Sequence, residues 1–152
     1  MILLKLLAQT ALASTVPVEP IPPSEETALN TIADDLLREV NKARVAKGLP
    51  FLFKWEPLTC AASMQNNYIK LTNRCDHDRI NGVRKRLQSC GGTYGGAGEI
   101  IACGHVTAKD AVNAWLKSPQ HERIMMDPSY NVFGATAYAG SYVVVFGEFK
   151  SE

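Results

Sequence analysis

The order of periodic segments constrains this fold most: helical stripes come first and β-rich runs close the chain. Residues 28–47 place Ile32, Leu36 and Val40, with Ala33 and Leu37, on one stripe at helical spacing. Glu25 and Glu26 favour the start of that helix, and Lys47-Gly48 followed by Pro50 ends it. Residues 58–71 read as a second helix with Leu58, Ala61, Met64, Tyr68 and Leu71 on one face. A shorter third helix over 81–88 stops at Cys90-Gly91-Gly92. Thr107-x-x-Asp110 is a capping box that opens a helix with Ala108, Ala111, Val112 and Trp115 inward. Residues 131–138 and 142–149 are β-rich and flank Ala139-Gly140-Ser141, which suggests a hairpin, and 98–102 can add another strand. Helices first, then strands with a late helix between them, predict an α+β sandwich.

Residues 1–13 read as a signal peptide, with an apolar run from Leu6 and a small-x-small site at Ala11-Leu12-Ala13. Pro17, Pro20, Pro22 and Pro23 make 14–27 a linker, which leaves 28–152 as one domain. No run is long enough to span a bilayer. Loss of Lys5 with the leader turns the net charge of +1 into 15 basic against 15 acidic residues. A neutral chain does not attract a partner through bulk charge, which argues against nucleic acid. The four cysteines, Cys60, Cys75, Cys90 and Cys103, suggest two disulfides in a secreted chain. None of their spacings is the C-x-x-C of a structural zinc cluster. A helix rises about 1.5 Å per residue, and bridged Cα atoms sit roughly 4.4–6.8 Å apart. A helix over 58–71 therefore disfavours Cys60–Cys75. Either Cys90–Cys103 without that bridge or a crossed pattern remains open.

Glu99 stands between Gly98 and the apolar Ile100-Ile101-Ala102, so it is expected to be partly buried and to need a partner. His77, in Asp76-His77-Asp78-Arg79, and His121, after Ser118-Pro119-Gln120, are the candidates. In the structural reading Glu99 ties two loops together through hydrogen bonds to both histidines. In the metal reading His77 and His121 bind Zn²⁺ or another divalent cation weakly, with positions left for water. Ser118 is the one serine close to a histidine, but it lacks a Gly-x-Ser-x-Gly elbow. Arg84-Lys85-Arg86, with Arg79, reads as a solvated helix face. The glycine-rich stretch 91–98 reads as a plain loop, because no Gly-Lys-Ser/Thr follows it. His105, in a Gly-His-Val turn, receives no role.

The ordered set Val40-Asn41-x-x-Arg44, Gly48-Leu49-Pro50-x-Leu52, Trp55, Leu58, Ala62, His77 and Gly98-Glu99-Ile100 resembles the CAP superfamily. So do Ala111-Val112-x-x-Trp115-x-x-Ser118-Pro119-x-His121, Gly134 and Tyr142–Gly147. This is the superfamily of cysteine-rich secretory proteins, antigen 5 and pathogenesis-related proteins, also called the SCP domain. The chain looks most like its compact bacterial and fungal form. The resemblance implies a three-layer α-β-α sandwich with a small antiparallel sheet, and a cleft lined by His77, Glu99 and His121. It implies a second glutamate at about Ser118, and an Asn where this chain has Ile100. Both differences count against catalysis.

The resemblance further implies an extracellular monomer that binds a lipid or sterol, or acts on an extracellular host protein. The rival is a metal-dependent hydrolase with His77 and His121 as ligands and Glu99 as base. It ranks lower because neither a nucleophile nor an oxyanion donor stands out.

Overall fold

The computed structural model describes residues 25–93 and 95–150; the expected leader and all but the end of the expected linker lie outside the described residues. The first helix, α1 (Glu25–Ala46), already occupies the end of that linker stretch. It buries Ala33, Leu36 and Val40, with Ile32 and Leu37 half-buried beside them. Its stop is a Schellman turn. Gly48, at φ +74°, donates to Val45 O at 2.9 Å, and Leu49 donates to Arg44 O at 3.0 Å. Arg44 is fully buried and donates to the carbonyls of Pro50, Met125, Asp127 and Tyr130, so the end of α1 organises three other segments.

A two-residue strand, β1 (Phe53–Lys54), follows, too short to be read from alternation. Asn41 holds the chain just before it. Its amide donates to Leu52 O at 3.0 Å and accepts from Leu52 N–H at 2.8 Å, as a neighbouring strand would. Next come α2 (Glu56–Thr72), with Pro57 in its first turn, and α3 (Val83–Ser89). The inward face of α2 is rotated from the expected one. Leu58, Ala61, Ala62, Gln65, Asn66 and Ile69 are buried, while Met64 is 41% and Leu71 76% exposed. Gln65 and Asn66 find hydrogen bonds inside, so polarity did not keep them at the surface.

The chain continues through β2 (Ala97–Cys103), α4 (Ala108–Leu116), α5 (Pro119–Met125), β3 (Val132–Tyr138) and β4 (Ser141–Gly147). Thr107 caps α4 by accepting from Asp110 N–H at 3.1 Å. The hairpin turns on Ala139 and Gly140, both at positive φ, which matches the twist of the flanking strands. The sheet order is β1-β3-β4-β2; β1 runs parallel to β3 and the other pairs are antiparallel. The sheet is therefore mixed.

One core, with Leu36, Val40, Val112, Trp115, Phe133 and Phe146, fills the side of α1 and α4. The other, with Leu58, Ala61, Leu87, Ile101, Val143 and Val145, fills the side of α2 and α3. Gly134 sets the approach of α2: a Cβ there would overlap Leu58 C and Thr59 N. The result is an α-β-α sandwich. Its bridges are crossed, with Cys60 bonded to Cys90 (Cα–Cα 5.9 Å) and Cys75 to Cys103 (6.3 Å).

Candidate functional site

Glu99 lies on β2, paired in register with Val145 and only 9% exposed. Both of its carboxylate oxygens are taken. Oε2 accepts from Arg86 of α3, and Oε1 from His77 Nδ1 at 2.7 Å. Arg86 is 1% exposed and also donates to Ala61 O at 3.1 Å and Asn81 O at 2.6 Å. It is therefore not part of a solvated face. Arg84 and Lys85 are exposed, but Arg86 sits one residue before buried Leu87 and turns inward with it. Nor does His121 fill the place expected of it as Glu99's second partner, because the guanidinium occupies that oxygen. A buried carboxylate is better matched by a permanent cation with several donors than by an imidazole.

The loop carrying His77 is anchored on both sides. Fully buried Gln65 donates from Nε2 to Asp76 O at 2.9 Å and accepts from Asp78 N–H at 3.0 Å. Asp78 accepts from the N–H groups of Ile80 and Asn81 at 2.9 and 3.0 Å. These bonds, that from Asn81 first, hold its carboxyl below the ordinary range. The Cys75–Cys103 bridge fixes the loop's start to the end of β2. Nothing in the apolar pattern of the sequence marks Gln65 or Arg86. The available signal was a polar residue one helical turn from Ala61, and another beside Leu87.

His77 itself is half exposed, with a side-chain exposure of 53%. With Nδ1–H directed at Glu99, its Nε2 is the nitrogen left to act as a base or ligand. His121 lies in the first turn of α5, half-buried. Burial, and secondarily the proximity of His77, push its pKa below the ordinary value. The two rings are thus close enough to repel when charged. Ser118 occupies the N-cap of α5 without a side-chain capping bond, and its backbone carbonyl accepts from Glu122 N–H at 2.9 Å. His105 lies in the turn after β2. A concavity of about 240 Å³ opens beside His77, walled by Tyr68, Arg74, Asp76 and Arg79.

Among the described residues no group of three or more His, Cys, Asp or Glu side chains is arranged to hold a metal. The donor set fits at most two neutral imidazoles, with Glu99 orienting one of them from behind. Such a site would be completed by water and would exchange its ion readily.

A helical layer on each face of a four-stranded sheet, crossed disulfides and a His–Glu pair at the sheet edge together define one class of domain. The chain belongs to the cysteine-rich secretory protein family, whose model matches residues 37–146. No curated protein sequence matches it significantly. Among solved structures it is similar to an extracellular SCP-domain protein from Bacillus anthracis, with a TM-score of 0.79 at 23% identity. That match covers 86% of this chain and 45% of the other. A cysteine-rich secretory protein from Staphylococcus aureus superposes with a TM-score of 0.71 at 21% identity, covering 84% of this chain and 40% of that one. An outer surface protein from Borrelia burgdorferi gives 0.69 at 22% identity, covering 77% and 92%. The chain therefore spans less than half of the Bacillus and Staphylococcus proteins, and these likenesses establish the fold alone. Among the described residues no helix is long and apolar enough to cross a membrane.

Proposed function

We propose that this chain is a secreted binding protein for an amphiphile, a lipid or sterol, and not a hydrolase. The observation that carries this reading is the double engagement of Glu99. A general base must reach a substrate proton, and this carboxylate is only 5% exposed, with one oxygen bonded to Arg86 and the other to His77. The crossed disulfides suit an oxidising, extracellular setting.

The ligand rests on surface apolar groups. The concavity beside His77 holds about 240 Å³, less than the roughly 300–1,000 Å³ of ordinary ligand pockets. The α1–α4 interface is closed by Leu36, Val40, Ala111, Val112 and Trp115, all at most 3% exposed. By contrast Phe51 and Phe53, two residues apart on extended chain, are 59% and 70% exposed. His77 and His121 take up Zn²⁺ weakly as a secondary property, supported by the half-buried, neutral-favouring His121.

Co-sedimentation of the oxidised chain with phosphatidylcholine vesicles, with and without sterol, tests the proposal. Saturable binding that is lost in Phe51→Ser/Phe53→Ser, and unaffected by chelator, is expected. Absence of binding to either vesicle would overturn the amphiphile reading and leave an extracellular host protein as the partner.

A further inference from the structure

We propose that the segment joining α2 to α3 is a membrane-docking face whose partner is the surface of an anionic bilayer. Ile80 in this segment is 78% exposed. Leu71, one helical turn on from Tyr68, is 76% exposed. Tyr68 and Ile80 both wall the concavity beside His77, so the two aliphatic side chains belong to one end of the molecule. The backbone around Ile80 is held firmly. Its N–H donates to Asp78 Oδ1 at 2.9 Å and its carbonyl accepts from Lys85 Nζ at 3.0 Å. The next residue, Asn81, is tied to Asp78 and Arg86. These bonds fix the peptide groups to the protein and leave the isoleucine side chain to solvent.

Charge selects the kind of membrane. The chain is near neutral as a whole, yet between residues 74 and 85 four basic side chains stand against two acidic ones. Both acidic groups are engaged locally. Asp76 accepts from Arg74 at 2.7 Å, and Asp78 accepts from the N–H groups of Ile80 and Asn81. Among the described residues Arg79 and Lys85 form no ion pair. The Lys85 ammonium rests on the Ile80 carbonyl, so an uncompensated charge lies beside the exposed aliphatic group. An aliphatic side chain flanked by such cations matches the boundary of an anionic leaflet. The apolar group enters the acyl region and the cations stay among the headgroups. A neutral bilayer would engage the aliphatic groups alone, and a soluble polyanion the cations alone. This face lies at the opposite end of α2 from Phe51 and Phe53, which precede that helix. The inference therefore goes beyond the amphiphile reading and does not need those two residues.

The test compares co-sedimentation of the oxidised chain with vesicles of phosphatidylcholine alone and of phosphatidylcholine mixed equally with phosphatidylserine. Tighter binding to the anionic vesicles, weakened by added salt, is expected. Arg79→Gln and Lys85→Gln should each lower that affinity about fivefold, and Ile80→Ser about tenfold. All three positions are exposed, and the variants should keep the wild-type melting temperature. Phe51→Ser/Phe53→Ser should keep the gain from phosphatidylserine, which separates this face from the amphiphile reading. Equal binding to both vesicles would overturn the docking face and leave that reading standing. Unchanged anionic binding in folded Arg79→Gln/Lys85→Gln would also overturn it. So would unchanged binding in Ile80→Ser together with binding to heparin, which would assign the cations to a soluble polyanion.

Discussion

Arg86 and Glu99 form an ion pair between α3 and β2, with side chains only 1% and 5% exposed. Removing one member strands a buried charge, whereas replacing both need not, because neither desolvation cost then remains. Arg86→Met should therefore destabilise the fold by about 3–5 kcal/mol. Arg86→Met/Glu99→Leu should recover most of that loss. Urea denaturation of the single and double variants measures the coupling. A double variant as unstable as the sum of the singles would show that the pair is not the unit.

Gly134→Ala tests the contact that places α2 on the sheet. The added methyl would overlap backbone atoms of Leu58 and Thr59, which cannot rotate aside. Overpacking costs about 1–3 kcal/mol where side chains can adjust, so the upper end or more is expected. A melting temperature within a degree of wild type would contradict the packing described.

His121 supplies a pH dependence. Its folded pKa lies below the ordinary value, through burial first and His77 second. Well above the unfolded value of about 6.5 both folded and unfolded imidazoles are neutral and the group contributes no slope. As pH falls below that value the unfolded chain takes up a proton that the folded ring resists. Stability therefore drops toward acid. His121→Gln should flatten this part of the stability–pH curve between pH 7.5 and 5, as read from denaturant midpoints. An unchanged slope would assign the acid sensitivity to other groups.

Much of the fold was legible from period alone. The α1 stripe, the Thr107 cap and the hairpin around Gly140 follow from local patterns, and local patterns survive into the structure. What escaped were features satisfied by distant partners. The α2 face was misplaced because Gln65 and Asn66 are buried through bonds to Asp76, Asp78 and Ser141, far along the chain. Arg86 looked like its exposed neighbours until Glu99 was brought to it. The two residues of β1 are held by Asn41 and β3, and α5 is a single short helix that starts at Pro119 with Ser118 as its N-cap. At the candidate site His77, Glu99 and His121 were recognisable by type, but their linkage through Arg86 depended on packing. Helix geometry disfavoured Cys60–Cys75, while the choice of partners depended on where α3 and β2 settle.

The Cys75–Cys103 bridge should matter to both stability and His77. It closes a separation of 28 residues, for which a loss of about 2–4 kcal/mol is typical. Cys75→Ser/Cys103→Ser should stay folded through the second bridge. It should bind Zn²⁺ at least about tenfold more weakly in calorimetry at pH 7.5, because the loop orienting His77 loses an anchor. Equal zinc affinity would mean that the Gln65 clasp alone positions the histidine.

The central claim is that the site built on His77 and Glu99 serves binding and not hydrolysis. Turnover of ester and peptide libraries by the oxidised chain, with and without Zn²⁺, tests it most directly. The account predicts no turnover above background in either state. Multiple turnover that disappears in His77→Ala, a substitution at an exposed ring outside the core, would contradict it and establish the hydrolase.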